Sequence, residues 1–97
     1  MRAEKVVSST AVIAIGGGAG TLEEMAVAWE TFRLLLAYKG VEGWSGKLAD
    51  TRIDPRIRYE NVPEDKVYGV GSPEEAIDLI KKYSNVYTRI HTKIARR

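Results

Sequence analysis

Four glycines in five positions, Gly16-Gly17-Gly18-Ala19-Gly20, interrupt the chain between an apolar run, Ala11 to Ile15, and a segment of helical periodicity. The run is short and apolar at every position, the pattern of a parallel strand covered on both faces. After the glycines, Leu22, Met25, Ala26, Trp29 and Phe32 recur at three- and four-residue spacing. They predict a helix from about Thr21 to Thr31, with Thr21 as its cap and Glu24 completing a capping box. A strand-to-helix turn without β-carbons lets a ligand reach main-chain amides, and the first turn of a helix offers unpaired donors and partial positive charge. The expected occupant is an anion, above all a phosphate, held by Gly16, Gly17, Gly18, Gly20 and Thr21.

Two familiar phosphate motifs do not fit. A dinucleotide fingerprint started at Gly16 would need glycine at Thr21, and one started at Gly18 would need it at Glu23. A P-loop would need Gly-Lys-Ser/Thr, which is absent here.

Leu34 to Tyr38 predicts a second buried strand, bounded by Gly40 and Gly43, and Ser45 predicts the cap of a short helix through about Thr51. Asp54-Pro55 and Asn61-Val62-Pro63 mark an irregular loop with limited strand character around Ile57 to Tyr59. Lys66 to Val70 is the third strand. Ser72-Pro73-Glu74-Glu75 opens the second main helix, with Ser72 capping, Pro73 at the first helical position and Glu75 in a capping box. Its apolar face is Ala76, Ile77, Leu79, Ile80 and Tyr83. Strands and helices in alternation predict an α/β fold, a Rossmann-like parallel sheet with flanking helices and right-handed crossovers. Residues 1–83 form the expected phosphate-binding half-domain and 84–97 a basic extension. There Ile80, Tyr83, Tyr87, Ile90 and Ile94 continue a heptad stripe, while Thr88, Ile90, Thr92 and Ile94 alternate as a strand would.

Ninety-seven residues hold one small domain. Without cysteine there is no thiol nucleophile or zinc finger, and with one histidine no multi-histidine metal site within a chain. The net charge of +2 is a property of the tail, since residues 81–97 carry six of the fifteen basic side chains and none of the thirteen acidic ones. So weak a surplus does not predict nucleic acid as a partner. The basic tail reads as the wet face of an interaction helix, and three strands with two principal helices leave apolar surface that favours self-association, with a homo-oligomer the expectation. No apolar run approaches the roughly 20 residues of a membrane span, and the start lacks a signal peptide's apolar core, so a cytoplasmic location is expected.

Gly16-Gly17-Gly18-Ala19-Gly20-Thr21-Leu22-Glu23-Glu24 resembles the P-G-G-x-G-T-x-x-E signature of the LOG superfamily, with Gly16 in place of the proline. The G-G-G form resembles the branch that includes molybdenum-cofactor carrier proteins. Gly40 to Trp44 is similar to that branch's G-x-G-G-W segment, and the likeness runs on through Ser72 to Ala76, covering about residues 1–82. Family domains are longer, so the resemblance implies a chain matching only the C-terminal half of the domain. It also implies a nucleotide or a phosphorylated cofactor of molybdopterin type as ligand, in a carrier-like role. The alternatives are a nucleoside 5′-monophosphate phosphoribohydrolase, an N-glycosidic hydrolase, and a non-catalytic oligomeric fragment.

In the hydrolase reading Gly17, Gly18, Gly20 and Thr21 hold the phosphate and Glu24 acts at the ribose. Glu24 otherwise serves as a cap, and Glu23 as a first-turn acid. The family's catalytic arginine falls, by spacing, at Met1, one place from Arg2. Trp44 either walls the ligand or packs its loop, and His91 reads as a surface side chain.

Overall fold

The computed structural model describes residues 11–88, and within them six elements follow one another. These are β1 (Ala11–Ala14), α1 (Ala19–Glu30), β2 (Leu34–Tyr38), α2 (Trp44–Leu48), β3 (Tyr68–Val70) and α3 (Pro73–Tyr83). The strands form one parallel sheet in the order β1-β2-β3, with Ala11 opposite Leu34 and Leu36 opposite Tyr68. The α/β, Rossmann-like class expected from the alternation is therefore the class observed.

Strand pleating divides the core in two. Ala11, Ile13, Leu34, Leu36, Tyr68 and Val70 face a layer made by α3 and the 59–62 loop, through Ala76, Tyr83, Tyr59, Val62 and Tyr87. Val12, Ala14, Leu35, Ala37 and Val67 face the other layer, where Met25, Ala28 and Trp29 of α1 are joined by Trp44 and Leu48 of α2. Because both faces are covered, Leu34, Leu35, Leu36 and Ala37 are all fully buried, which explains why β2 reads as an unbroken apolar run.

The structure corrects several expectations. α1 begins at Ala19 with Gly18 as its cap and no side-chain cap bond, so Thr21 and Glu24 form no capping box. With three glycines leading into it, the chain enters the helix two residues early and carries Thr21 into the buried first turn. At the other end Phe32 leaves the helical face, adopting φ of +66°. Arg33 N–H donates to the Ala28 carbonyl and Phe32 N–H to that of Trp29, a Schellman closure built without the usual glycine. Ser45 lies inside α2, where Gly43 holds the cap position. No strand forms at Ile57 to Tyr59 among the described residues.

Ser72 caps α3 as expected, accepting from Glu75 N–H at 3.2 Å, while the Glu75 carboxylate accepts from Gly71 N–H at 2.6 Å. Ile77 is not on its buried face but 51% exposed. α3 stops at Tyr83, so no continuous helix carries the heptad stripe, and Ile80, Tyr83 and Tyr87 pack into the chain's own core. Ile90, Ile94, His91, Arg2 and most of the basic tail lie outside the described residues.

A buried polar lock closes the end of the sheet where β2 begins. The Arg58 guanidinium, wholly buried, donates to both oxygens of Asp65 at 2.9 and 2.7 Å and to the carbonyls of Trp29 and Arg33 at 2.9 and 3.1 Å. It also stacks 3.8 Å from the centroid of the Trp29 ring. Tyr87 O–H donates to Asp65 at 2.7 Å and lies 2.8 Å from Tyr68 Oη.

Burial raises the Tyr68 and Tyr87 phenols above the ordinary tyrosine range, and hydrogen bonding to Tyr68 and Asp65 raises Tyr87 further. Both stay neutral in the folded chain where an unfolded chain ionises near pH 10. Their contribution is therefore complete below about pH 10 and lost as pH rises beyond it. A melting temperature that falls more steeply above that pH in the parent than in Tyr68→Phe is the expected measurement.

Candidate functional site

The glycine loop lies where β1 ends and α1 begins, at the carboxyl end of the strands, which is where open α/β sheets bind ligands. Gly17 has φ of +92°, and a Cβ there would stand 1.8 Å from Thr21 Oγ1 and 2.4 Å from Thr21 Cβ. Only glycine lets the loop lie this close over the threonine. Gly17, Gly18, Ala19 and Gly20 are exposed. Among the described residues, the main-chain N–H groups of Gly17 to Thr21 donate to no other group, Leu22 being the first to bond back, to the Gly18 carbonyl at 3.0 Å.

The loop is held by its other polar atoms. Trp44 N–H donates to the Gly17 carbonyl at 3.0 Å and Ser45 N–H to that of Gly16 at 3.3 Å. The buried Ser45 hydroxyl accepts from Gly16 N–H at 2.6 Å and donates to the Tyr38 carbonyl at 3.0 Å. Ser45, expected as a cap, is thus a brace between β2 and the glycine loop, a role with no local pattern to announce it.

Gly43 makes this approach feasible, because at φ of +105° a Cβ would come within 2.7 Å of Gly17 O and 2.8 Å of Gly17 N. Those are backbone atoms that cannot rotate aside. Gly43→Ala is expected to destabilise the domain by about 1–3 kcal/mol, read as a lower urea midpoint.

Two polar atoms of the site are orphans. Thr21 Oγ1 and Glu24 Oε1 are both buried and have no hydrogen-bond partner, and Thr21 as a whole is fully buried. The structure thus brings Gly16, Gly17, Gly18, Gly20 and Thr21 together, with Glu24 one turn along α1. Trp44 adjoins them through its backbone and packs by its ring against the α1 layer. Arg2 lies outside the described residues.

A cavity of about 320 Å³ opens elsewhere, among Arg52, Ile57, Tyr59 and Pro63. Of the charged groups lining it, Arg58 is engaged with Asp65, and Arg52 with the Asp65 carbonyl at 2.8 Å. Among the described residues no cluster of histidine, aspartate or glutamate could hold a metal ion, and no helix is long and apolar enough to cross a membrane.

The model of the SLOG cluster4 family matches residues 2–77. The chain belongs to that family. The match spans the glycine loop, the Gly43-Trp44-Ser45 brace and the start of α3, the same segments that carry the LOG-type resemblance. SLOG membership associates the chain with nucleotide-related binding or processing in general, without fixing a cofactor or a reaction. No curated protein and no solved structure matches it.

Proposed function

We propose that this SLOG chain binds the phosphate group of a nucleotide or of a phosphorylated, molybdopterin-type cofactor at Gly16 to Thr21, as a carrier-like module. The Thr21 hydroxyl carries the reading. It is fully buried and unpartnered directly beneath Gly17, beside a row of unbonded amides. Leaving such a hydroxyl unsatisfied costs about 1–3 kcal/mol. An oxyanion accepting from it and from the amides removes that cost, and the helix dipole adds to the attraction.

Thermal melts with inorganic phosphate, AMP and molybdopterin test this. Binding raises the melting temperature, by the equivalent of about 2.7 kcal/mol at a hundredfold excess over Kd. Thr21→Val removes the orphaned hydroxyl while keeping its shape, so the unliganded protein becomes more stable and the ligand-dependent rise shrinks. No rise with any of the three ligands rejects the reading.

One observation favours a phosphoribohydrolase as a second reading. Glu24 is free of the cap it was expected to serve, and its buried Oε1 has no partner. A carboxylate so placed would stabilise an oxocarbenium-like ribose or take a proton from attacking water. Among the described residues no cation is paired with Glu24, and Arg2, the candidate for that role, lies outside them. Adenine released from AMP, and abolished by Glu24→Gln, would establish turnover in place of simple binding.

A further inference from the structure

Among the described residues, four large apolar side chains are prominently exposed, and two of them flank the glycine loop. Ile15 immediately precedes Gly16, and Val41 belongs to the short segment whose Gly43 touches Gly16 and Gly17. Trp44, a partly exposed residue, follows that segment, and the Lys47 ammonium stands 4.8 Å from its ring centroid. A bare phosphate makes no use of apolar or aromatic neighbours. A phosphate ester with a flat ring does, because a π-face stacks on indole and the apolar flanks exclude water from the stack.

Resting on the phosphate reading above, we infer that Trp44 determines which phosphate ester is bound: a planar heteroaromatic ring on the ligand, nucleobase or pterin, stacks on the Trp44 indole in the place now held by the Lys47 ammonium. The backbone and ring of Trp44 then have separate tasks. Its N–H fixes the Gly17 carbonyl and so shapes the cradle, whatever the side chain, while its ring reads the rest of the ligand. Stacking tolerates a change of ring identity and does not tolerate its absence.

Calorimetric titrations with ribose 5-phosphate, AMP and a phosphorylated pterin separate these tasks. At least one ring-bearing ligand is expected to bind about tenfold tighter than ribose 5-phosphate. Trp44→Leu, which keeps an apolar group against the α1 layer, erases that gain and leaves the affinity for ribose 5-phosphate within about twofold. Trp44→Phe retains most of it. A larger gain for AMP identifies a nucleobase, and a larger gain for the pterin a cofactor of that class. If the ring adds nothing in the parent protein, or if Trp44→Leu weakens all ligands equally, the inference is overturned while the phosphate reading stands. Failure of all three ligands to bind removes both.

Discussion

Arg58→Met is expected to cost about 3–5 kcal/mol, because it strands the Asp65 carboxylate in the core without its cation. A domain of this size has about 5–15 kcal/mol of stability in total, so the variant is largely unfolded or melts about 15 °C or more below the parent. The loss goes beyond one ion pair. The guanidinium stacks on Trp29, in the layer formed by α1, while Asp65 receives the hydroxyl of Tyr87, in the layer formed by α3. Arg58 also donates to two carbonyls around the end of α1, and methionine in its place withdraws both of those bonds. Adding Asp65→Asn to Arg58→Met removes the stranded charge, so the double variant should recover part of the loss in a thermal melt. A double variant as unstable as the single one would mean that the carbonyl contacts and the stacking, rather than the charge, dominate.

Gly17→Ala is expected to be the most damaging single methyl group in the glycine loop. The new Cβ meets the Thr21 side chain at 1.8–2.9 Å and the residue sits at φ of +92°. Either the loop lifts from α1 or Thr21 leaves its buried position. The expected cost is about 1–3 kcal/mol, accompanied by loss of phosphate binding. Gly20→Ala provides the contrast. Nothing lies within 4 Å of its Cβ position and it occupies the first turn of α1. Alanine there should stabilise the fold by about 0.5–1 kcal/mol. If Gly20→Ala raises the urea midpoint while weakening the ligand-induced thermal shift, the bare amides serve binding rather than folding. An unchanged shift would mean that the ligand does not approach that residue.

The parts of this fold that follow from neighbouring residues were legible in the chain. The apolar runs of β1 and β2 mark a doubly covered sheet, and Ser72-Pro73 marks the start of α3. The glycine cluster marks the loop whose amides lie open. What could not be read depends on contacts distant in sequence. Thr21 followed by Glu24 matches a capping box as well as Ser72 followed by Glu75 does, and only the entry path of the loop puts the first pair inside the helix and the second pair at its start. Phe32 fits the apolar period of α1 but crosses to the other layer, because the chain must reverse into β2. Arg58, between Ile57 and Tyr59, looks like a loop charge until Asp65, Trp29 and Tyr87 are folded around it. Ser45 shows the same limit, since its partners are Gly16 and Tyr38.

Fixing the Gly16 and Gly17 carbonyls to the amides of Ser45 and Trp44 has an entropic consequence. Before any guest arrives, the acceptors that could fold inward and compete for it are already committed elsewhere. The conformational freedom that such a loop would surrender on association has been given up during folding, so affinity is not diminished by it at the moment of encounter. The main chain of free and occupied forms should superpose there to within about 1 Å, the buried Thr21 side chain being the part that has to turn to meet the guest.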